Sequence, residues 1–294
     1  MAIRRSPQEK LFDGFNIALM LFLMFVTLYP FWHVIMASFS DSNLLLQHTG
    51  VLILPEGFST EAYRYVLKNQ RIYSGYLNTL FVVIVGTALN VLMTSLGAYV
   101  LSRRHFAIRK LLTVAIVFTM YFSGGMIPRY ILINNELGLK NTLWALILPG
   151  LISTWNLIVM RTAFFGVPES IEESARLDGA NDFVILFRII LPTILSTVAV
   201  IVLFYAVGHW NAWFDAALFL RKKEKYPLQL VLREILILSS TETMTNDVDF
   251  TDKEAIGESI KYATIIVTTL PVICIYPFLQ KYFVKGVMVG AVKG

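Results

Sequence analysis

The sequence contains one cysteine, Cys274, in 294 residues. A disulfide framework and a multi-cysteine zinc site are thereby excluded. Charge is also scarce. Asp, Glu, Lys and Arg make up 15% of the chain, against about 25% in soluble domains. The four histidines, His33, His48, His105 and His209, are scattered without metal-ligand spacing. No G-x-x-x-x-G-K-[ST] run is present to cradle a nucleotide phosphate. Ser123-Gly124-Gly125 lies inside an apolar stretch and continues as Met126-Ile127-Pro128. It reads as glycines for close helix packing or for a helix break. No Ser/His/Asp arrangement, fixed-period repeat or low-complexity segment stands out. What is abundant is apolar: 56% hydrophobic residues and a mean hydropathy of +0.64. These values exclude disorder. The net charge of +5 does not point to nucleic acid, because the charges sit between long apolar runs. The class is an integral helical membrane protein.

A bilayer is crossed by about 20 mostly apolar residues. Six stretches qualify, at 11–39, 75–101, 111–133, 143–165, 189–220 and 262–283. They set the expectation of an all-α, single-domain chain over 1–294. Asn16, Asn78, Asn90 and Asn156 interrupt these runs, as do Pro30, Pro128, Pro149, Pro271 and Pro277. Such residues either tie helices together or line a water-filled path. Six spans place both termini on one side. That side carries Arg4, Arg5, Lys10, Arg103, Arg104, Arg109, Lys110, Arg161, Arg176, Arg188, Lys281, Lys285 and Lys293. It holds 13 basic and 7 acidic residues, leaving 12 basic and 13 acidic for the other side. Basic loops stay in the cytoplasm, so both termini are expected there. Arg221, Lys222, Lys223 and Lys225 fall outside, balanced by Asp247, Asp249, Asp252 and Glu254. The first apolar run exceeds a signal-peptide core, and no small-x-small site follows it; it reads as an uncleaved helix. The longer outer links, about 40–74 and 221–258, are the candidate accessory regions. Cys274 falls in the sixth run and reads as a small core residue.

The link after the fourth span is the most informative segment: Pro168-Glu-Ser-Ile-Glu-Glu-Ser-Ala-Arg-Leu-Asp-Gly-Ala-Asn-Asp182, reaching Ile190-Leu191-Pro192. Pro168 suits a first helical turn. Glu169, Glu172 and Glu173 complement the positive end of the helix dipole, and Gly179 suits its termination. Ile171, Ser174, Ala175 and Asp178 share one face at i, i+3, i+4 and i+7. A short helix over 168–181 follows, with Pro192 starting the next membrane helix. Such a helix either docks on a partner or lies on the membrane surface.

The run Glu173-Ser174-Ala175-Arg176-Leu177-Asp178-Gly179-Ala180, followed by Ile190-Leu191-Pro192, resembles the EAA motif of binding-protein-dependent ABC importer permeases. Ser174 replaces the usual first Ala, and Ser196 stands where many members have a second Pro. The end, Gln280 to Gly286 and Gly290 to Gly294, resembles that of maltose-type carbohydrate permeases. Tyr121 to Pro128 and Trp210-Asn211-Ala-Trp213-Phe214 resemble a branch handling polysaccharide fragments.

The resemblance implies a type I importer-like permease with six transmembrane helices and a cytoplasmic coupling helix. It places the chain in the bacterial inner membrane without a catalytic site of its own. ATP and Mg would bind two separate cytoplasmic ATPase subunits. A second, homologous permease subunit, an extracytoplasmic solute-binding protein and membrane lipid complete the expected partners. The expected cargo is an oligosaccharide or polysaccharide, acidic ones such as alginate included. Glu173, Ser174, Ala175, Asp178, Gly179, Ala180, Leu191 and Pro192 become the coupling residues. The tail 284–294 resembles a segment inserted between ATPase subunits. Asn211, Trp210, Trp213 and Arg129 are candidates for the substrate path, since aromatic faces and amides suit sugars and a guanidinium suits a carboxylate. The aromatics also fit an interfacial belt, Arg129 also fits snorkelling, and His209 and Asp215 lie nearby. A permease for a non-sugar solute and an ion-coupled secondary transporter are the alternatives.

Overall fold

The computed structural model describes residues 6–103, 105–242 and 258–275. Arg4, Arg5, Arg104, the acidic group Asp247 to Glu254, Pro277 and the tail 284–294 lie outside the described residues, as does the end of the sixth run. The described residues are helical, without a strand; one isolated bridge joins Ser40 and Phe58. Among the described residues, three helices are long and apolar enough to cross a membrane: Pro7–Ser38, Gln70–Ser102 and Glu258–Ile275. Three bent helix pairs bring the number to six if each counts as one span.

The bends have local causes. The third span runs Arg109–Tyr121 and Met126–Glu136 at 108°. Gly125 between its limbs adopts φ +85°, a left-handed backbone that a Cβ disfavours. The glycine pair is therefore a helix break. The fourth span runs Trp144–Gly150 and Thr154–Phe165 at 49°, with Ser153 capping the second limb by accepting from Asn156 N. The fifth differs most from the expected 189–220. It starts at Asp182, ends its first limb at Thr193, and resumes at 92° as Leu195–Asn211. Pro192, expected to start a helix, sits in the last turn before this bend, where Ile194 leaves helical geometry at φ −110° and ψ 27°. A separate short helix, Phe214–Phe219, follows.

The chain divides into two units, residues 1–69 with 232–270, and 70–231 with 271–294. In the first, the link after the first span is ordered. The Asp41 side chain accepts from Asn43 N and Leu44 N, and Asp41 N donates to Glu56 O and Gly57 O. Phe39 stacks on Phe58 with rings 5.8 Å apart. Trp32 Nε1 donates to Ile53 O at 2.9 Å, and Tyr63 shares a 2.7 Å hydrogen bond with Ser38. Burial pushes the Tyr63 phenol up in pKa. Cys274, which falls in the second unit and was expected in a core, is exposed.

In the second unit the helix Gln70–Ser102 is the central post. Asn90 is buried on it and donates to Gly150 O at 2.7 Å and Leu151 O at 2.9 Å. Its Oδ1 lies 2.7 Å from His209 Nε2. An amide oxygen only accepts, so this contact puts the imidazole proton on Nε2. Thr94 meets the Tyr205 hydroxyl at 2.7 Å, and that hydroxyl accepts from Ser153 N at 2.9 Å. Asn78 donates to Glu224 O and Tyr226 O. These amides and hydroxyls tie the break of the fourth span, and the second limb of the fifth, to the second span, which is how freed backbone groups are tolerated in a bilayer. Asn141, at φ 57°, accepts from Arg221 N and Lys222 N and takes Lys225 Nζ on its carbonyl.

Candidate coupling and transport sites

The segment after the fourth span folds as the helix Glu169–Leu177, with Pro168 as its N-terminal cap rather than in its first turn. Its end is a Schellman closure. Gly179, at φ +82°, donates from N to Arg176 O at 3.0 Å, and Ala180 N donates to Ala175 O at 2.9 Å.

The two sides of this helix do different work. Glu172 is only 7% exposed and forms an ion pair with Arg103. Arg176 Nη2 donates to Glu172 Oε1 at 3.1 Å and to Asp182 Oδ1 at 2.6 Å. The Tyr99 hydroxyl lies 3.5 and 3.4 Å from the same two carboxylates and shares its one proton between them, and the Arg103 guanidinium lies 4.5 Å from the centre of the Tyr99 ring. Burial pushes the Arg103 pKa down, yet an arginine stays charged at neutral pH. One turn on, Ala175 enters the apolar core beside Ala98, Tyr99, Leu157, Met160 and Ile185. One polar and one apolar anchor thus fasten the helix to the ends of the second, fourth and fifth spans.

The opposite side is bare. Glu173, Ser174, Asp178 and Gly179 are exposed. Leu177, which the motif alone did not single out, is 89% exposed. Ile171, Ser174, Ala175 and Asp178, the expected small stripe, line an open groove of about 470 Å³ with Ser170, Ala180 and Ile189. Leu191 and Pro192 stand apart from this surface, in the turn that precedes the fifth-span bend.

The substrate-path candidates separate. Trp210 is 6% exposed and packs edge-on against Tyr76, ring centres 6.4 Å apart. Asn211 is exposed, but its amide donates to Val207 O in its own helix at 3.0 Å. Trp213 packs edge-on against Phe214. Arg129 is not free to snorkel: Nη1 and Nη2 donate to the two Asp215 oxygens at 3.1 and 2.7 Å. A different set lines an open cavity of about 430 Å³: Ser153, Trp155, Asn156, Phe204, Tyr205, Gly208 and His209. Trp155 and Phe204 are exposed within the chain. His209 had drawn notice in the sequence. Asn156 had been noted as a polar break in its apolar run, and the rest carried no signal, because only the bend of the fourth span brings its residues beside those of the fifth.

Comparison with known proteins gives the context of this geometry. The family described as "Binding-protein-dependent transport system inner membrane component" matches residues 105–289. The polygalacturonan/rhamnogalacturonan transport system permease protein YtcP of Bacillus subtilis (strain 168) is 42% identical, over 98% of this chain and 100% of that protein. Protein LplC of the same organism is 40% identical, over 99% and 98%. A solved chain from a bacterial ABC transporter involved in the import of the acidic polysaccharide alginate superposes with a TM-score of 0.86. It shares 30% identity and covers 96% of this chain and 100% of its own length.

Proposed function

Because the chain belongs to the family of binding-protein-dependent transport system inner membrane components, we propose that it forms half of the membrane path of an ATP-driven importer for uronate-containing oligosaccharides or polysaccharides. The observation that carries the cargo is the full-length similarity to a permease named for polygalacturonan and rhamnogalacturonan. That name denotes polymers of galacturonate, and the similar solved chain comes from an importer of another acidic polysaccharide. In this reading a second, homologous permease supplies the other half of the path. Two cytoplasmic ATPase subunits bind ATP and Mg, and an extracytoplasmic binding protein delivers the cargo. Both termini of this chain lie in the cytoplasm of a bacterial cell, and this chain carries no catalytic site and binds no cofactor.

The helix Glu169–Leu177 is the coupling helix. Its bare side, with Glu173, Ser174, Leu177, Asp178 and Gly179, seats on an ATPase. Its anchored side passes the displacement on, through Glu172 to Arg103 and the second span, and through Arg176 to Asp182 and the fifth. The cavity around Trp155, Phe204, Asn156 and His209 contributes to the path. Aromatic faces stack on sugar rings while amide and imidazole groups meet hydroxyls.

A gentle detergent pull-down of the tagged chain from its native membrane, followed by uptake of labelled oligogalacturonate in proteoliposomes, tests this reading. Recovery of an ATPase and a second permease, with ATP-dependent uptake, is the expected result. A chain that purifies alone and shows no ATP-dependent uptake overturns it and favours an ion-coupled carrier.

A further inference from the structure

We propose that Arg129 is a docking point for the carboxylate of a uronic-acid residue, with Asp215 as the group that orients it and keeps its grip weak. The inference rests on the cargo reading above and names a group on this chain that recognises that cargo. Arg129 stands on the second limb of the third span, Asp215 on the short helix after the fifth. Their fork engages one N–H of each terminal nitrogen, at 3.1 and 2.7 Å. A guanidinium has five N–H donors in a rigid plane, so three remain, and no further hydrogen bond of this side chain occurs among the described residues. The guanidinium carbon also lies 5.9 Å from the centre of the Phe219 ring, which further restrains its plane. The two side chains are 45% and 29% exposed, open enough for a solute to reach them.

The place beside the pair is hollow. A cavity of about 540 Å³ is walled by Gly124, Gly125, Pro128, Arg129 and Phe214, within the size range of small-molecule sites. Gly124 has no atom within 4 Å of where a Cβ would stand, so the break in the third span leaves room rather than filling it. Phe214 is half exposed and presents an aromatic wall to the C–H face of a sugar ring. A planar carboxylate and a guanidinium edge match in two parallel hydrogen bonds. Asp215 cancels the formal charge of Arg129, so a passing polyanion meets directional donors without a net cation to trap it. A path must release what it binds, and this pairing suits release.

The test uses the whole reconstituted importer with its binding protein, and reads ATPase stimulation by trigalacturonate and by its uncharged methyl ester. The binding protein is the same throughout, so its own preference cancels when permease variants are compared with wild type. Arg129→Gln should raise the half-saturating concentration of trigalacturonate by about tenfold, the scale of one charge-assisted hydrogen-bonded contact. The ester response should stay unchanged, which also shows that the variant complex is assembled. Arg129→Lys should restore part of the preference, and Asp215→Asn should lower the half-saturating concentration of the acid alone. Equal shifts for acid and ester in Arg129→Gln and Asp215→Asn would make the pair a structural tie and overturn the proposal, while the cargo reading stands. Failure of both compounds to stimulate the wild-type importer would overturn both.

Discussion

Single side chains in this protein divide into those already committed inside the chain and those left with unspent bonding capacity. Asn90 is of the first kind. Removing its amide strips partners from Gly150 O, Leu151 O and His209 together. Asn90→Ala is expected to cost about 1–2 kcal/mol and to lower the detergent melting temperature. Asn211, whose amide is spent on Val207, should tolerate Ala with less than about a threefold change in uptake, since one exposed hydrogen bond is worth little. Trp155 is of the second kind, its face exposed to a cavity. Trp155→Ala should raise the half-saturating concentration of cargo about tenfold by loss of stacking while assembly on a pull-down is unchanged. A Trp155→Ala importer with wild-type uptake would remove that cavity from the path.

Among elements, the helix Glu169–Leu177, proposed as the coupling helix, sets the clearest expectations. Open space surrounds Gly179 despite its φ of +82°, so Gly179→Asp costs the isolated chain only backbone strain, about 1–2 kcal/mol. It also adds a charge on the face proposed to meet the ATPase. The variant should express and assemble, yet hydrolyse ATP without uptake; normal uptake would move the docking surface elsewhere. Glu172→Ala leaves Arg103 half-buried without its carboxylate, a loss of about 3 kcal/mol, and should uncouple as well. Arg103→Glu with Glu172→Arg should recover part of the uptake that either change abolishes. Recovery would separate an ion-pair link from a mere packing defect. Much of this element was legible in sequence, because Gly179 and the glutamates act through local backbone and dipole effects. The inward turn of Glu172 was not legible, since Arg103 and Tyr99 lie about 70 positions earlier in the chain and nothing local announces that meeting. The right-angle bend at Ile194 escaped for a related reason. An apolar run reads as one span whether straight or broken, and the non-helical backbone at Ile194 that breaks it has no local sequence mark.

For the whole chain, composition was enough to place it in a membrane, and run lengths gave six spans, the number reached when each bent pair counts as one. Neither could say which polar residues face a solute, because the same amide serves as glue or as ligand. Breaks shift that balance: the third and fourth spans each bend next to an open cavity. Stiffening one break should therefore matter beyond its site. Gly125→Ala, forced to φ +85°, should destabilise by about 1 kcal/mol or more and slow uptake more than it slows ATP hydrolysis, read as transport events per ATP.

The helix Glu169–Leu177 has nine residues. In water, a free helix needs about 12–15 residues to be even marginally stable. Cut from the chain, this segment would lose the Arg103 tie, the Ala175 socket and the Schellman turn together, and relax to coil. A synthetic peptide copying 168–181 would therefore be a poor competitor for an ATPase cleft, since it must fold as it binds. A covalent staple across its inward side, joining positions 172 and 176, would replace what the membrane spans provide. It would leave Glu173, Leu177 and Asp178 free to compete, giving an inhibitor that acts on the joint between motor and pore.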